Sequence, residues 1–193
     1  MIDNCNNFGN IANLYRGCGI VGYAYELHNC CNYGEIYGSG PGEFYVRIGI
    51  AGICDYMAYF NPRYITNCRN FGNIDAIKQG KASGIVSEAY TPSWNGQVAT
   101  KTITTFIENC SNYGKISGSN NLAGIVGDMN YSGIIRNCYN SGEIDDVESS
   151  GTIVNIYKYD TKITNCLSTC SSPRMIGRLM VSGSYAWWEV LED

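Results

Sequence analysis

A chain of 193 residues is long enough for one ordinary domain with its own core, and here only 16% of residues are charged while Gly reaches 23 and Tyr 16. The polar surface must therefore come from Asn, Ser, Thr, Tyr and backbone, which suits sheets and turns and not solvated helices. A formal net charge of −4 with no Lys/Arg run argues against nucleic acid and anionic membrane surfaces as partners, and no stretch approaches the roughly 18 consecutive apolar residues of a membrane-spanning helix.

Met1 leads directly into a box that the rest of the chain repeats: Asn4-Cys5-Asn6-Asn7-Phe8-Gly9-Asn10-Ile11. The same pattern returns at Asn29-Cys30-Cys31-Asn32-Tyr33-Gly34-Glu35-Ile36 and Asn67-Cys68-Arg69-Asn70-Phe71-Gly72-Asn73-Ile74. It returns again at Asn109-Cys110-Ser111-Asn112-Tyr113-Gly114-Lys115-Ile116 and Asn137-Cys138-Tyr139-Asn140-Ser141-Gly142-Glu143-Ile144, and decays at Asn165-Cys166-Leu167-Ser168. A chain that starts inside a repeat, with no charged and apolar leader, is expected to be part of a larger polypeptide whose leader lies upstream.

A second box lies between the copies of the first: Gly19-Ile20-Val21, Gly52-Ile53-Cys54, Gly84-Ile85-Val86, Gly124-Ile125-Val126 and the variant Thr152-Ile153-Val154. A single apolar residue stands two before each later Asn-Cys pair, as Leu27, Ile65, Ile107, Ile135 and Ile163. Three short β-rich runs per unit, separated by Gly and Asn turns, are what one coil of a β-helix requires. Each run is too short to stand alone, but like runs stacked in register complete one another's backbone hydrogen bonds. The expected fold is all-β, a right-handed parallel β-helix of about six coils over residues 1–170, with loop and hairpin insertions and a C-terminal cap over 171–193. In this scheme the Asn residues at box positions one and four form columns at coil corners, and the following Gly takes a positive φ at the bend. A leucine-rich repeat is the rival fold, but the units lack its regularly spaced leucines and any segment of helical period.

The stretch Asn121 to Ile144 carries Leu122-Ala123-Gly124-Ile125-Val126-Gly127 followed by Ile135-Arg136-Asn137-Cys138-Tyr139-Asn140-Ser141-Gly142-Glu143-Ile144. It resembles the GLUG-type repeats of bacterial surface proteins, and the likeness extends through most of the chain to Cys166. The resemblance implies a parallel β-helix in an exported or cell-surface bacterial protein, as an adhesin-like stalk or an accessory region beside a separate enzyme domain. It carries over no catalytic residue. Asp55 and Ser87 depart from the pattern at the end of the Gly-Ile-Val run, as do the long insertions.

Six of the ten cysteines (Cys5, Cys30, Cys68, Cys110, Cys138 and Cys166) share one repeat position and should stack as a column of small buried groups. Neighbours about one strand spacing apart, ~4.8 Å, leave disulfides open. A zinc site is disfavoured, because the only histidine, His28, and the isolated Cys166/Cys170 pair do not make a ligand set.

Asp55, Glu88 and Asp128 lie at or beside the end of the Gly-Ile-Val run in three successive units, where stacking brings equivalent groups to about 5 Å. Solvated turn residues are the first reading. Calcium is the second, and a carboxylate pair of a retaining glycosidase, Glu88 with Asp128, is the third. Asp55 is offset by one position, so it should face away from the other two. Asp145, Asp146 and Glu148 form a further acidic run, read as a loop without a Lys or Arg beside it.

Insertions in solenoids map to one face and often bind. Tyr56 to Tyr64 and Glu88 to Thr105 are the two candidates, the latter holding a hairpin-type Asn95-Gly96 next to Trp94. Tyr59, Phe60, Tyr64, Tyr90 and Trp94 are therefore the candidate ligand-binding residues, suited to a glycan or a host surface protein; packing of these rings on the solenoid flank is the structural alternative. The expected function is a noncatalytic module of an extracellular or cell-surface protein, without a required cofactor apart from the calcium option. A glycan-active β-helix enzyme is the competing reading.

Overall fold

The computed structural model describes residues 1–13, 17–38, 49–57, 63–76, 81–89, 104–118, 121–129, 133–145, 150–158, 161–171, 174–181 and 184–186. Every element among them is a β-strand. The strands form five sheets, each built from equivalent runs of successive units, so the expected parallel β-solenoid is the observed architecture.

The unit spanning 63–89 shows the path of one coil. Arg63–Thr66 lies in the first sheet, Arg69–Asn70 in the second, Ile74–Ala76 in the third, Lys81–Ser83 in the fourth and Val86–Ala89 in the fifth. Each pairs in parallel with its equivalents before and after, as in Ile65 with Leu27 and Ile107, or Asn70 with Asn32 and Asn112. The residue two before each Asn-Cys pair thus joins one inward column, fully buried at Leu27, Ile65, Ile107 and Ile135 and half-buried at the end members Ile2 and Ile163. Each such side chain contributes about 1.5–3 kcal/mol by leaving water.

Asn at box position one makes the first corner. Asn4, Asn29, Asn67, Asn109, Asn137 and Asn165 all have φ between 51° and 56°, a left-handed conformation that Asn tolerates better than most residues. Their side chains form an outer ladder, with Nδ2 of Asn67 donating to Oδ1 of Asn29 at 3.1 Å and Nδ2 of Asn137 donating to Oδ1 of Asn109 at 3.2 Å. Asn at position four is different: Asn32, Asn70, Asn112 and Asn140 are fully buried. Each Nδ2 donates to the carbonyl two residues on, and those of Asn32, Asn70 and Asn112 also donate to Oδ1 of the next Asn, each at 2.8 Å, while Asn140 Nδ2 meets Ser168 Oγ instead.

The Gly after that buried Asn does not take the positive φ expected of it. Its role is close approach: a Cβ on Gly72 would collide with the Gly34 carbonyl and lie 2.9 Å from Asn32 Nδ2. Coil contact, not turn conformation, excludes a side chain there.

The buried Asn ladder divides the interior. The larger apolar cluster includes Leu27, Ile53, Ile65, Val86, Ile107 and the buried cysteines, and the smaller one includes Ile36, Ile50, Ile74, Ile116 and Leu122. Gly of the Gly-Ile-Val box closes this waist, because a Cβ on Gly84 would meet both the Gly124 carbonyl and, at 2.5 Å, Cγ of Asn112. Where Thr152 replaces that Gly, the box that follows has Ser168 in place of the Asn. The smaller side chain matches the larger neighbour.

Within the expected cap, Ile176–Val181 extends the fifth sheet beside Val154–Lys158, and Ser184–Ala186 then pairs with it antiparallel. Trp187 and Trp188 lie outside the described residues.

Candidate functional site

The fourth and fifth sheets meet at the Gly-Ile-Val box, and a polar seam runs along their junction. Lys81 starts its strand in the fourth sheet and pairs with Gly49 of the preceding unit. Glu88 lies in the fifth sheet of the same coil, and Asp128 is its register partner in the next. The Lys81 ammonium bonds Glu88 Oε1 at 2.9 Å and also Asp128 Oδ2. Glu88 is 1% exposed and Asp128 3%, so both differ from the solvated turn residues that their position suggested. Two carboxylates in adjacent coils are buried here with the ammonium of one half-buried lysine on both; without it they would repel with no hydration to compensate. Burial pulls the Lys81 ammonium down, but Asp128 and Glu88 outweigh it and hold its pKa above the usual lysine value.

Asp55 is indeed offset. Cys54 pairs with Val86 and Tyr56 with Glu88, which puts Asp55 level with Ser87. Both lie against Gly49, where a Cβ would collide with Ser87 Oγ and Asp55 Oδ1. The two departures from the repeat pattern therefore sit together in the seam, against the Gly49 that is the register partner of Lys81. Further along it, Asn155 Nδ2 donates to Asn121 Oδ1 at 3.3 Å. Several seam atoms are buried without a hydrogen-bond partner: Ser83 Oγ, Ser87 Oγ, Glu88 Oε2 and Asn155 Oδ1.

Among the described residues no group of three or more His, Cys, Asp or Glu side chains is placed to hold a metal ion. Glu88 and Asp128 have the ammonium of Lys81 where the calcium reading put the ion. Lys81 escaped the sequence reading because it lies three residues before the Gly, outside the box. Its signal was available: the equivalent positions hold the uncharged Gly49 and Asn121.

Asp145 also has a basic neighbour that the sequence reading did not give it, with Lys115 Nζ at 3.4 Å from Oδ1 in an exposed pair. Asp146 and Glu148 lie outside the described residues. His28 is half-buried, with Nδ1 at 2.6 Å from Thr66 Oγ1. The cysteine column is buried at its four inner members, while Cys5 at one end is exposed and Cys166 at the other is half-buried, and all ten cysteines are free thiols. Cys30, Cys68, Cys110 and Cys138 are buried, and each points its Sγ at the carbonyl two residues before it, at 3.1–3.4 Å. Burial also pushes the Cys18 thiol up to about 11, with the Asp55 charge adding to the rise, and pushes Cys54 and Cys110 up as well.

Of the candidate ligand-binding aromatics, Tyr59, Phe60, Tyr90 and Trp94 lie outside the described residues. Tyr64 is half-buried and stacks on Phe106 of the next coil, with centroids 5.0 Å apart. The stretches before Tyr64 and Phe106 both connect the fifth sheet to the first, so the two aromatic insertions spring from one corner in neighbouring coils.

A larger aromatic feature was written in the boxes themselves. Phe8, Tyr33, Phe71 and Tyr113, all at box position five, stack in one row with centroids 4.9 Å apart and planes within 6°. All four are exposed, Phe8 at 74%. Tyr139 closes the row edge-on against Tyr113 at 5.9 Å, where Ser141 holds position five. The inner rings cover one another's faces, so the row offers solvent a strip of ring edges with the hydroxyls of Tyr33 and Tyr113. Comparison of the chain with protein-family models, with curated proteins and with solved structures finds no match.

Proposed function

We propose that this chain is a noncatalytic repeat module of a bacterial cell-surface protein, a stalk or adhesin-like element that binds glycan or a host surface protein. The observation that carries this reading is the exposed row of Phe8, Tyr33, Phe71 and Tyr113. A continuous aromatic strip on a surface poor in charge suits an extended ligand laid along the coil axis, which meets apolar edges and tyrosine hydroxyls in alternation. The corner that carries Tyr64, and from which the insertions with Tyr59, Phe60, Tyr90 and Trp94 arise, supplies a second set of contacts. The GLUG-type pattern of the boxes agrees with an extracellular setting, and the rigid ladder of coils with a role as a spacer.

The glycan-active enzyme reading needs Glu88 and Asp128 open to a sugar. Both are buried and hold Lys81, which leaves neither free to act as acid or nucleophile on an external substrate. A glycan and host-protein array probed with the chain and with a Tyr33→Ala/Tyr113→Ala variant tests the proposal. Binding that falls at least about tenfold in a variant of unchanged circular dichroism supports it. Binding of equal strength by both, or by neither, contradicts it.

A further inference from the structure

Lys81, Glu88 and Asp128 have a geometry that an ion pair alone does not require. An amine nitrogen on a half-buried side chain is held in contact with a buried carboxyl group from the adjacent coil, and a second buried carboxylate touches the same nitrogen. Glu88 Oε1 accepts from Nζ at 2.9 Å, while its other oxygen, Oε2, is buried with no hydrogen-bond partner. One oxygen is therefore placed to take a proton from the nitrogen, and the carboxyl group keeps a second acceptor uncommitted.

The geometry points to an intramolecular isopeptide bond between Lys81 Nζ and Asp128 Cγ, formed with Glu88 as the proton carrier. Glu88 takes one proton from the Lys81 ammonium and passes it to an Asp128 Oδ. The freed nitrogen lone pair attacks Cγ, making the C–N bond. Glu88 then takes a second proton from nitrogen and delivers it to the same Oδ, and the C–O bond breaks to release water. Nζ keeps one hydrogen, as a secondary amide. The ammonium and the carboxylate have become one amide and one water, Glu88 ends ionised as it began, and no oxidant, metal or nucleotide is consumed.

Three features of the site favour the bond. The strands that carry the two reacting groups are fixed by parallel ladders on either side, so the encounter is intramolecular and pre-oriented. Condensation replaces a half-buried ammonium and a buried carboxylate with a neutral amide, removing charges that are costly in a low dielectric. Burial also keeps out the water that hydrolysis would need. The product ties one coil to the next across the connection 90–104, a covalent rung suited to a module that bears load.

Mass spectrometry of the intact, folded chain decides the matter without any variant. The chain should weigh about 18 Da less than its sequence, the mass of one water. A tryptic digest should contain residues 79–101 joined to residues 116–136, with no cleavage after Lys81. Lys81→Arg and Glu88→Gln should restore the full mass. A wild-type chain of full mass that trypsin cleaves after Lys81 would overturn the assignment, and so would a loss of water that persists in Lys81→Arg.

Discussion

The Asn70 carboxamide lies directly over Gly52, so that a Cβ on Gly52 would clash with Asn70 Oδ1 at 2.5 Å and collide with the Gly84 carbonyl. This contact is the waist of each coil and keeps the two apolar clusters apart. Gly84→Ala, at the equivalent place in the next coil, is expected to cost about 3 kcal/mol or more, because backbone on both sides has to move. Asn70→Ala removes the bonds to Gly72 O and Asn112 Oδ1 and leaves buried groups of its neighbours unsatisfied, for about 3 kcal/mol. Urea unfolding of both variants measures this; a change below about 1 kcal/mol in either would count against the waist.

The aromatic row should reveal its neighbours through its mutants. Phe71 stacks on two rings and Phe8 on one. With about 0.5–1.5 kcal/mol per stacked pair, Phe71→Ala should lower stability roughly twice as much as Phe8→Ala. Thermal melts compare them, and an equal or larger effect at Phe8 would show that the stacking contributes little.

Alkaline pH should weaken the fold through its buried thiols. The Cys18 thiol is held up to about 11 by burial and the Asp55 charge, against 9.0 for an unperturbed thiol. Below about pH 9 both folded and unfolded forms keep the proton and the contribution is whole. As pH rises from about 9 to about 11 the unfolded chain ionises first, and stability falls by up to about 1.4 kcal/mol per pH unit for that thiol. Cys18→Ala should flatten the fall; Ala51 already occupies the paired position in the next coil, so the substitution is sterically acceptable. Urea midpoints at about pH 8 and about pH 10.5 provide the test, and an identical fall in the variant would discard this assignment.

The repeat made the architecture legible because stacking converts each conserved spacing within the chain into a column. Leu27, Ile65, Ile107 and Ile135 share one repeat position in the sequence, and so do the cysteines of the boxes, which is why each set stacks as a column. What stayed hidden depends on how columns face each other across a coil. The buried Asn ladder and the Gly of the second box are far apart in each unit, and only their contact explains why Gly is needed. Lys81 was hidden for the same reason: it belongs to the fourth sheet, and its partners Glu88 and Asp128 to the fifth. Phe8, Tyr33, Phe71 and Tyr113 were in plain view in the alignment, but pattern alone does not tell an exposed row from a buried one.

Product analysis tests most directly whether the chain binds glycan without turning it over. The chain is incubated with each array-positive glycan, and the mixture is separated by size against a Glu88→Gln/Asp128→Asn variant. The expected result is glycan of unchanged length with both proteins, and equal retention of the glycan on each. Shortened oligosaccharide that appears with the wild-type chain and disappears with the variant would contradict the account and make the buried carboxylates an active site.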